Sequence, residues 1–219
     1  MTWRHRRVIL KKNALDQLVS LQSLNQLEQS YLENWILSER PFVGRAWRAD
    51  EKALRNHFAP LGLMYFGPDG YKLRLAFYIP RDLILRVDEP ALLSEAQPFI
   101  PNHLQSLCEQ VLVIAKRHQI AVQVYGSAFW SLAQKKVLMS PESDIDLLFK
   151  LGKLAQAQLL IADLMKLDRL LFSKLDGEIE LDHGQSVAWK EWLSASDYLL
   201  LKSDFEPLLI SKTDLWRAH

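Results

Sequence analysis

A single cysteine, Cys108, stands in the 219 residues, which excludes an intramolecular disulfide and any metal site built from several thiolates. Its neighbours, LQSLCEQVLVIAK, make it a small apolar residue of a helix rather than a nucleophile. An excess of one charge is lacking as well: 27 Lys and Arg face 26 Asp and Glu, a net +1. A near-neutral chain does not grip nucleic acid by bulk charge, so nucleic acid is not an expected partner. Long hydrophobic runs are missing too. Lys, Arg, Asp or Glu interrupts each candidate, and no membrane-spanning segment is expected. The basic start, MTWRHRRVILKKNALDQ, holds only VIL as an apolar run, too short for a signal-peptide core. Internal repeats and low-complexity tracts are absent. These absences leave a soluble, cytoplasmic globular protein as the expectation, with room for one large or two modest domains.

What is present divides the chain. Residues 14–38 place Leu15, Leu18, Leu21, Leu24 and Leu27 three apart, which predicts one amphipathic helix or two short ones. PFVGRAW (41–47) reads as a short strand, and EKALRNHFAP (51–60) as a helix ended by Pro60. The clearest hairpin signal is 61–79, two apolar runs around GPDG, with Tyr71, Leu73, Leu75, Phe77 and Ile79 alternating in the second arm. Pro90, Pro98 and Pro101 mark 88–102 as the candidate linker. Beyond it a helix is expected over 103–118, a strand over 120–126, a turn at Gly126-Ser127 and a helix from AFWSLAQ. SDIDLLFKL is the next strand, 154–175 a long helix, and GEIELD (177–182) a further strand. Strand–helix–strand–helix–strand gives an α/β (α+β) fold class. Two domains follow: a smaller α+β domain over 1–90, and over 103–219 a mixed sheet flanked by helices.

One constellation carries chemistry. Gly126-Ser127 ends a strand where a helix opens, and helix N-termini expose amide N–H groups that suit phosphate. On the following strand Asp144 and Asp146 fall on one face, where two close carboxylates repel unless solvated or bridged by a cation. Paired aspartates are hard oxygen ligands of the kind Mg²⁺ takes. Glu178, Glu180 and Asp182 share a face of GEIELD and could add a third carboxylate. Alone, each feature is commonplace: a cap, a wet strand end, an edge strand. In this order on these elements they point to metal-assisted phosphoryl or nucleotidyl transfer.

Gly-Ser followed on the next strand by Asp-x-Asp resembles the signature of the DNA polymerase β-like nucleotidyltransferase superfamily. Together with GSAFWSLAQKKVLMSPESDIDLLF, SVAWKEW, YLLLKSDFEPLLI and RLAFYIPR, it resembles the phosphoribosyl-dephospho-CoA transferase of malonate decarboxylase. That family is also called malonate decarboxylase holo-(acyl-carrier-protein) synthase. The resemblance implies transfer of phosphoribosyl-dephospho-CoA from 2′-(5″-triphosphoribosyl)-3′-dephospho-CoA to a serine of the malonate decarboxylase acyl-carrier subunit, with release of pyrophosphate. The nucleophile then belongs to the partner, in keeping with the absence of a Ser–His or Cys–His pattern here.

By the same resemblance Asp144 and Asp146 would hold Mg²⁺, and Gly126 and Ser127 would meet the triphosphate. Glu178, with Glu180 next, would be the third acid, where the family pattern has an aspartate. Arg74, Arg81 and Lys202 fall at family-like positions for neutralising pyrophosphate, with Arg45 as a further candidate and His183 near the substrate. The rivals are another nucleotidyltransferase, acting on a small molecule, a protein or RNA, and a catalytically dead nucleotide-binding module. Trp189 and Trp192, three apart, read as helix packing rather than an adenine platform.

Overall fold

In a computed structural model the chain is a mixed α+β protein, described over residues 2–67, 72–151, 154–167, 169–181 and 184–218. It forms two compact units. The first comprises Met1–Glu89 and takes in Asp204–Glu206; the second comprises Pro90–Ser203 and Pro207–His219. Among the described residues no helix is long and apolar enough to cross a membrane.

The first unit is an antiparallel six-stranded sheet. Its elements are β1 (Arg7–Leu10), β2 (Val19–Ser20), helix α1 (Gln26–Leu37), β3 (Phe42–Gly44), β4 (Phe58–Phe66), β5 (Lys72–Pro80) and β6 (Ile84–Asp88). The strands lie in the order β2-β5-β4-β3-β1-β6. β4 and β5 pair along their full length, from Phe58 opposite Pro80 to Phe66 opposite Lys72. Leu61, Leu63, Leu75, Phe77 and Ile79 bury the core side of that hairpin. Pro68, Asp69, Gly70 and Tyr71, within and just after the expected turn, lie outside the described residues.

In this unit the alternative of two short helices holds over that of one, and the reading of Pro60 fails. The leucines spaced three apart do not share a helix: residues 12–17 form a 3₁₀ turn, and α1 starts only at Gln26. Asn25 fixes that start, because its side chain accepts the Glu28 N–H while the Glu28 carboxylate accepts the Asn25 N–H. A period of three also drifts around a 3.6-residue turn, so it defines no stable face. Pro60 does not end a helix either; it sits inside β4, opposite Tyr78. Its carbonyl accepts the Arg45 N–H, so its nitrogen faces the same side, where β3 has already ended at Gly44.

The second unit opens with β7 (Ala91–Leu92), α2 (Leu93–Ala96) and α3 (Asn102–His118). Then follow β8 (Ala121–Val124), α4 (Gly126–Gln134), β9 (Ile145–Lys150), α5 (Leu154–Leu164), α6 (Arg169–Ser173) and β10 (Leu175–Glu180). It closes with β11 (Ser186–Ala188), β12 (Tyr198–Leu201), β13 (Leu208–Ser211) and α7 (Lys212–Ala218). The five-stranded sheet runs β11-β10-β9-β8-β7, and only β9 and β10 are parallel. α3 packs on α5, and Cys108 is buried on α3 with its thiol pushed up to about 12 by that burial. It is a core residue.

Residues 91–101, expected as linker, are folded into this unit. Ala91, Leu93, Ala96 and Ile100 are buried. The prolines mark element edges: Pro90 precedes β7, Pro98 lies in the 3₁₀ turn Gln97–Phe99, and Pro101 caps α3. The helix expected over 154–175 is broken into α5 and α6.

Candidate active site

Strand β8 delivers the chain to Tyr125, extended at the N-cap of α4, whose N–H donates to the Asp146 carbonyl at 3.1 Å. Gly126 then opens α4 with φ +57°, a conformation side chains rarely adopt. Space forbids a side chain as well: a Cβ there would lie 2.0 Å from Asp146 Oδ2. The Asp146 carboxylate therefore occupies the hollow that glycine leaves at the mouth of α4. Ser127 follows in the first turn. Ser131, buried one turn later, donates to the Ser127 carbonyl at 3.0 Å and accepts the Leu138 N–H at 3.2 Å, which anchors the helix against the loop leaving it.

Asp146 sits in a strand otherwise buried from Ile145 to Phe149. Asp144 precedes the strand with 47% of its side chain exposed, and Lys174 Nζ stands 3.9 Å from it. The parallel register of β9 and β10 sets Asp176 directly opposite Asp146. Half of the Asp176 side chain, 49%, is exposed, and Lys190 Nζ lies 3.9 Å from it. The close approach of the strands requires Gly177, where a Cβ would fall 1.9 Å from the Leu147 carbonyl oxygen. Asp146 and Asp176 thus stand side by side next to the N-terminus of α4, Asp144 immediately precedes β9, and Lys174 and Lys190 lie against Asp144 and Asp176.

Glu178 is one step further along the same face, opposite Leu148. Its side chain is 4% exposed; Oε1 accepts Lys202 Nζ at 2.9 Å and Oε2 accepts Ser186 Oγ at 2.5 Å. Ser186 and Lys202 also exchange backbone hydrogen bonds, so this buried group ties β10, β11 and β12 together. Glu180 is buried opposite Lys150. The register places Asp176 level with Asp146, while Glu178 and Glu180 stand opposite Leu148 and Lys150. The strand begins at Leu175, two residues earlier than GEIELD suggests. The legible signal was Asp176 at the same two-residue spacing on the same face.

Lys202 is spoken for by Glu178. Arg74 and Arg81 belong to the first unit, Arg74 on β5 and Arg81 just after it. Arg45 of that unit forks onto Glu51, at 2.8 and 3.0 Å. Asp182 and His183 lie outside the described residues. Trp189 is fully buried with its ring against Phe172, so it packs.

Among the described residues no three His, Cys, Asp or Glu side chains form a ready-made metal cage. The donors present suit a different arrangement. Mg²⁺ is commonly held by one or two carboxylates and completed by substrate phosphates and water, which partly solvated aspartates at a helix N-terminus fit.

The family model for the phosphoribosyl-dephospho-CoA transferase MdcG C-terminal domain matches residues 91–213. Curated proteins named phosphoribosyl-dephospho-CoA transferase are similar to the chain. The one from Bradyrhizobium diazoefficiens is 26% identical over 145 residues, 66% of this chain and 64% of that relative, just under two thirds of its length. The one from Xanthomonas euvesicatoria pv. vesicatoria is 28% identical over 149 residues, 68% and 70% of the two chains. That of Xanthomonas axonopodis pv. citri is 25% identical over 220 residues, covering 100% of this chain and 99% of the relative. No solved structure matches the chain significantly.

Proposed function

The chain belongs to the phosphoribosyl-dephospho-CoA transferase MdcG family, and on that premise we propose that it loads a carrier protein with its prosthetic group. The donor is 2′-(5″-triphosphoribosyl)-3′-dephospho-CoA. The acceptor is a serine of the malonate decarboxylase acyl-carrier subunit, and pyrophosphate leaves. The observation that carries this reading is the placing of Asp176 opposite Asp146, whose carboxylate fills the hollow at Gly126.

Asp144 and Asp146 would hold Mg²⁺, which supplies charge neutralisation on the triphosphate when bound. The first turn of α4, with the Ser127 hydroxyl, would receive phosphate oxygens at the positive end of the helix. Asp176 accepts the proton of the carrier serine as its oxygen attacks the α-phosphorus. The new Ser O–P bond forms, the α–β phosphoanhydride bond breaks, and pyrophosphate departs with the electron pair. Lys174 and Lys190, 3.9 Å from Asp144 and Asp176, would offset the charge gained by the leaving group. Glu178 with Lys202 keeps β10 in register and takes no part in the chemistry.

The test is intact-mass spectrometry of the apo carrier subunit incubated with this protein, Mg²⁺ and the triphosphoribosyl donor. A gain equal to phosphoribosyl-dephospho-CoA that EDTA abolishes supports the proposal. A gain of AMP when ATP is the donor would replace it with general nucleotidylation. No gain in any lane would refute transfer to this carrier.

A further inference from the structure

The first unit holds an open cavity of about 440 Å³. Lys52, Arg55 and Arg81 line it with Trp3, Phe205 and Asp204, the last two brought there by the chain's return over Asp204–Glu206. Asp204 is the only acid of the lining, and it faces the backbone: its oxygens accept the Trp3 N–H at 2.5 Å and the Arg4 N–H at 2.9 Å. Three cations against one engaged carboxylate leave the cavity with a surplus of two positive charges.

The cations are held differently. Arg81 is fixed, donating from Nε to the Phe58 carbonyl at 3.1 Å and from Nη2 to the Arg55 carbonyl at 2.5 Å, with its guanidinium over the Trp3 ring. Arg55 lies 4.7 Å over the Phe205 ring, and its buried Nε has no hydrogen-bond partner among the described residues. Lys52 is exposed and makes no ion pair among the described residues. Guanidinium and ammonium groups that line an open cavity pair with phosphate oxygens through charge-assisted hydrogen bonds. Phe205, 52% exposed beside Arg55, offers an aromatic surface to a planar group.

We propose that this cavity binds a nucleoside diphosphate, its phosphates on Lys52, Arg55 and Arg81 and its base against Phe205. The surplus of two charges matches a diphosphate, and the volume lies within the usual range of small-ligand sites. The site stands on its own residues and does not depend on the transfer reaction.

Titration calorimetry of the full chain with ADP in EDTA tests it, with pyrophosphate and adenosine as comparison ligands. ADP should bind with a Kd below about 1 mM, and Lys52→Ala and Arg55→Gln should each weaken it about tenfold. Phe205→Ala should weaken ADP while leaving pyrophosphate within about threefold. Asp146→Asn should leave ADP binding unchanged. Loss of ADP binding in Asp146→Asn with retention in Lys52→Ala would assign the ligand to the acidic site and overturn the proposal. ADP binding no tighter than pyrophosphate, or none at all, would overturn it equally. Lys52 is exposed, so its variant keeps the test valid should Arg55→Gln fail to fold.

Discussion

Half of the Asp176 side chain is solvated, whereas Glu178, two residues along the same face, has both oxygens engaged by Lys202 and Ser186. Removing each charge therefore has a different consequence. Asp176→Asn should lower transfer by on the order of 10²–10⁴-fold, as expected for loss of a positioned base, and leave the melting temperature nearly unchanged. Glu178→Gln should do the reverse. It leaves Lys202 without its anion at a cost of about 1–3 kcal/mol, kept modest because Lys202 is about a third exposed. Denaturant unfolding and carrier-loading rates measured on both variants separate the two roles; the opposite pattern would return Glu178 to the chemistry. Asp144→Asn, at an exposed position with little packing, should abolish Mg²⁺-dependent loading with the fold intact. Full activity in that variant would remove Asp144 from the metal pair.

Among the elements, the junction of β8 and α4 is tightly constrained. Gly126→Ala meets a backbone penalty of about 1–2 kcal/mol at positive φ, and its methyl group would displace the Asp146 carboxylate. The expected outcome is loss of loading beyond what the stability change explains, read from activity at temperatures well below melting. Near-wild-type loading would mean that Asp146 need not sit at Gly126. This junction was legible in the sequence, because strand, Gly-Ser, helix and Asp-x-Asp follow one another without interruption. The β4–β5 hairpin and α3 were equally legible, since their alternation and helical spacing run unbroken. The leucines of 15–27 did not choose between one helix and two, because a capping box at Asn25 outweighs a weak period. Pro60 was misread because a proline breaks a strand only where a neighbour needs its N–H, and β3 stops short of that point.

For the molecule as a whole, Asp204 is a carboxylate that the loop after β12 inserts into the first unit. Desolvation by burial raises its pKa, against the pull of the Arg4 and Trp3 amides toward the charged form. A carboxyl that holds its proton more tightly when folded adds stability below the ordinary aspartate range, lost as pH rises through the folded value. The melting-temperature difference between wild type and Asp204→Asn should thus favour wild type more at acidic than at neutral pH. A difference independent of pH would show that Asp204 titrates as it does in the unfolded chain.

The sequence by itself determined the fold class, the order of strand, Gly-Ser turn, helix and Asp-x-Asp strand, and the burial of Cys108. All of these are local: periodicity, caps and the residues on either side of one turn. Tertiary structure alone decided which acid stands beside Asp146 and what the cations touch. Which carboxylate stands beside Asp146 depends on the register between β9 and β10, two strands separated by α5 and α6, and a shift of two residues exchanges Asp176 for Glu178. Whether Lys202 meets phosphate or Glu178 depends on where β12 packs, and the gathering of Lys52, Arg55, Arg81 and Phe205 joins residues more than a hundred positions apart. Such pairings follow from packing over the whole chain, and no local pattern encodes them.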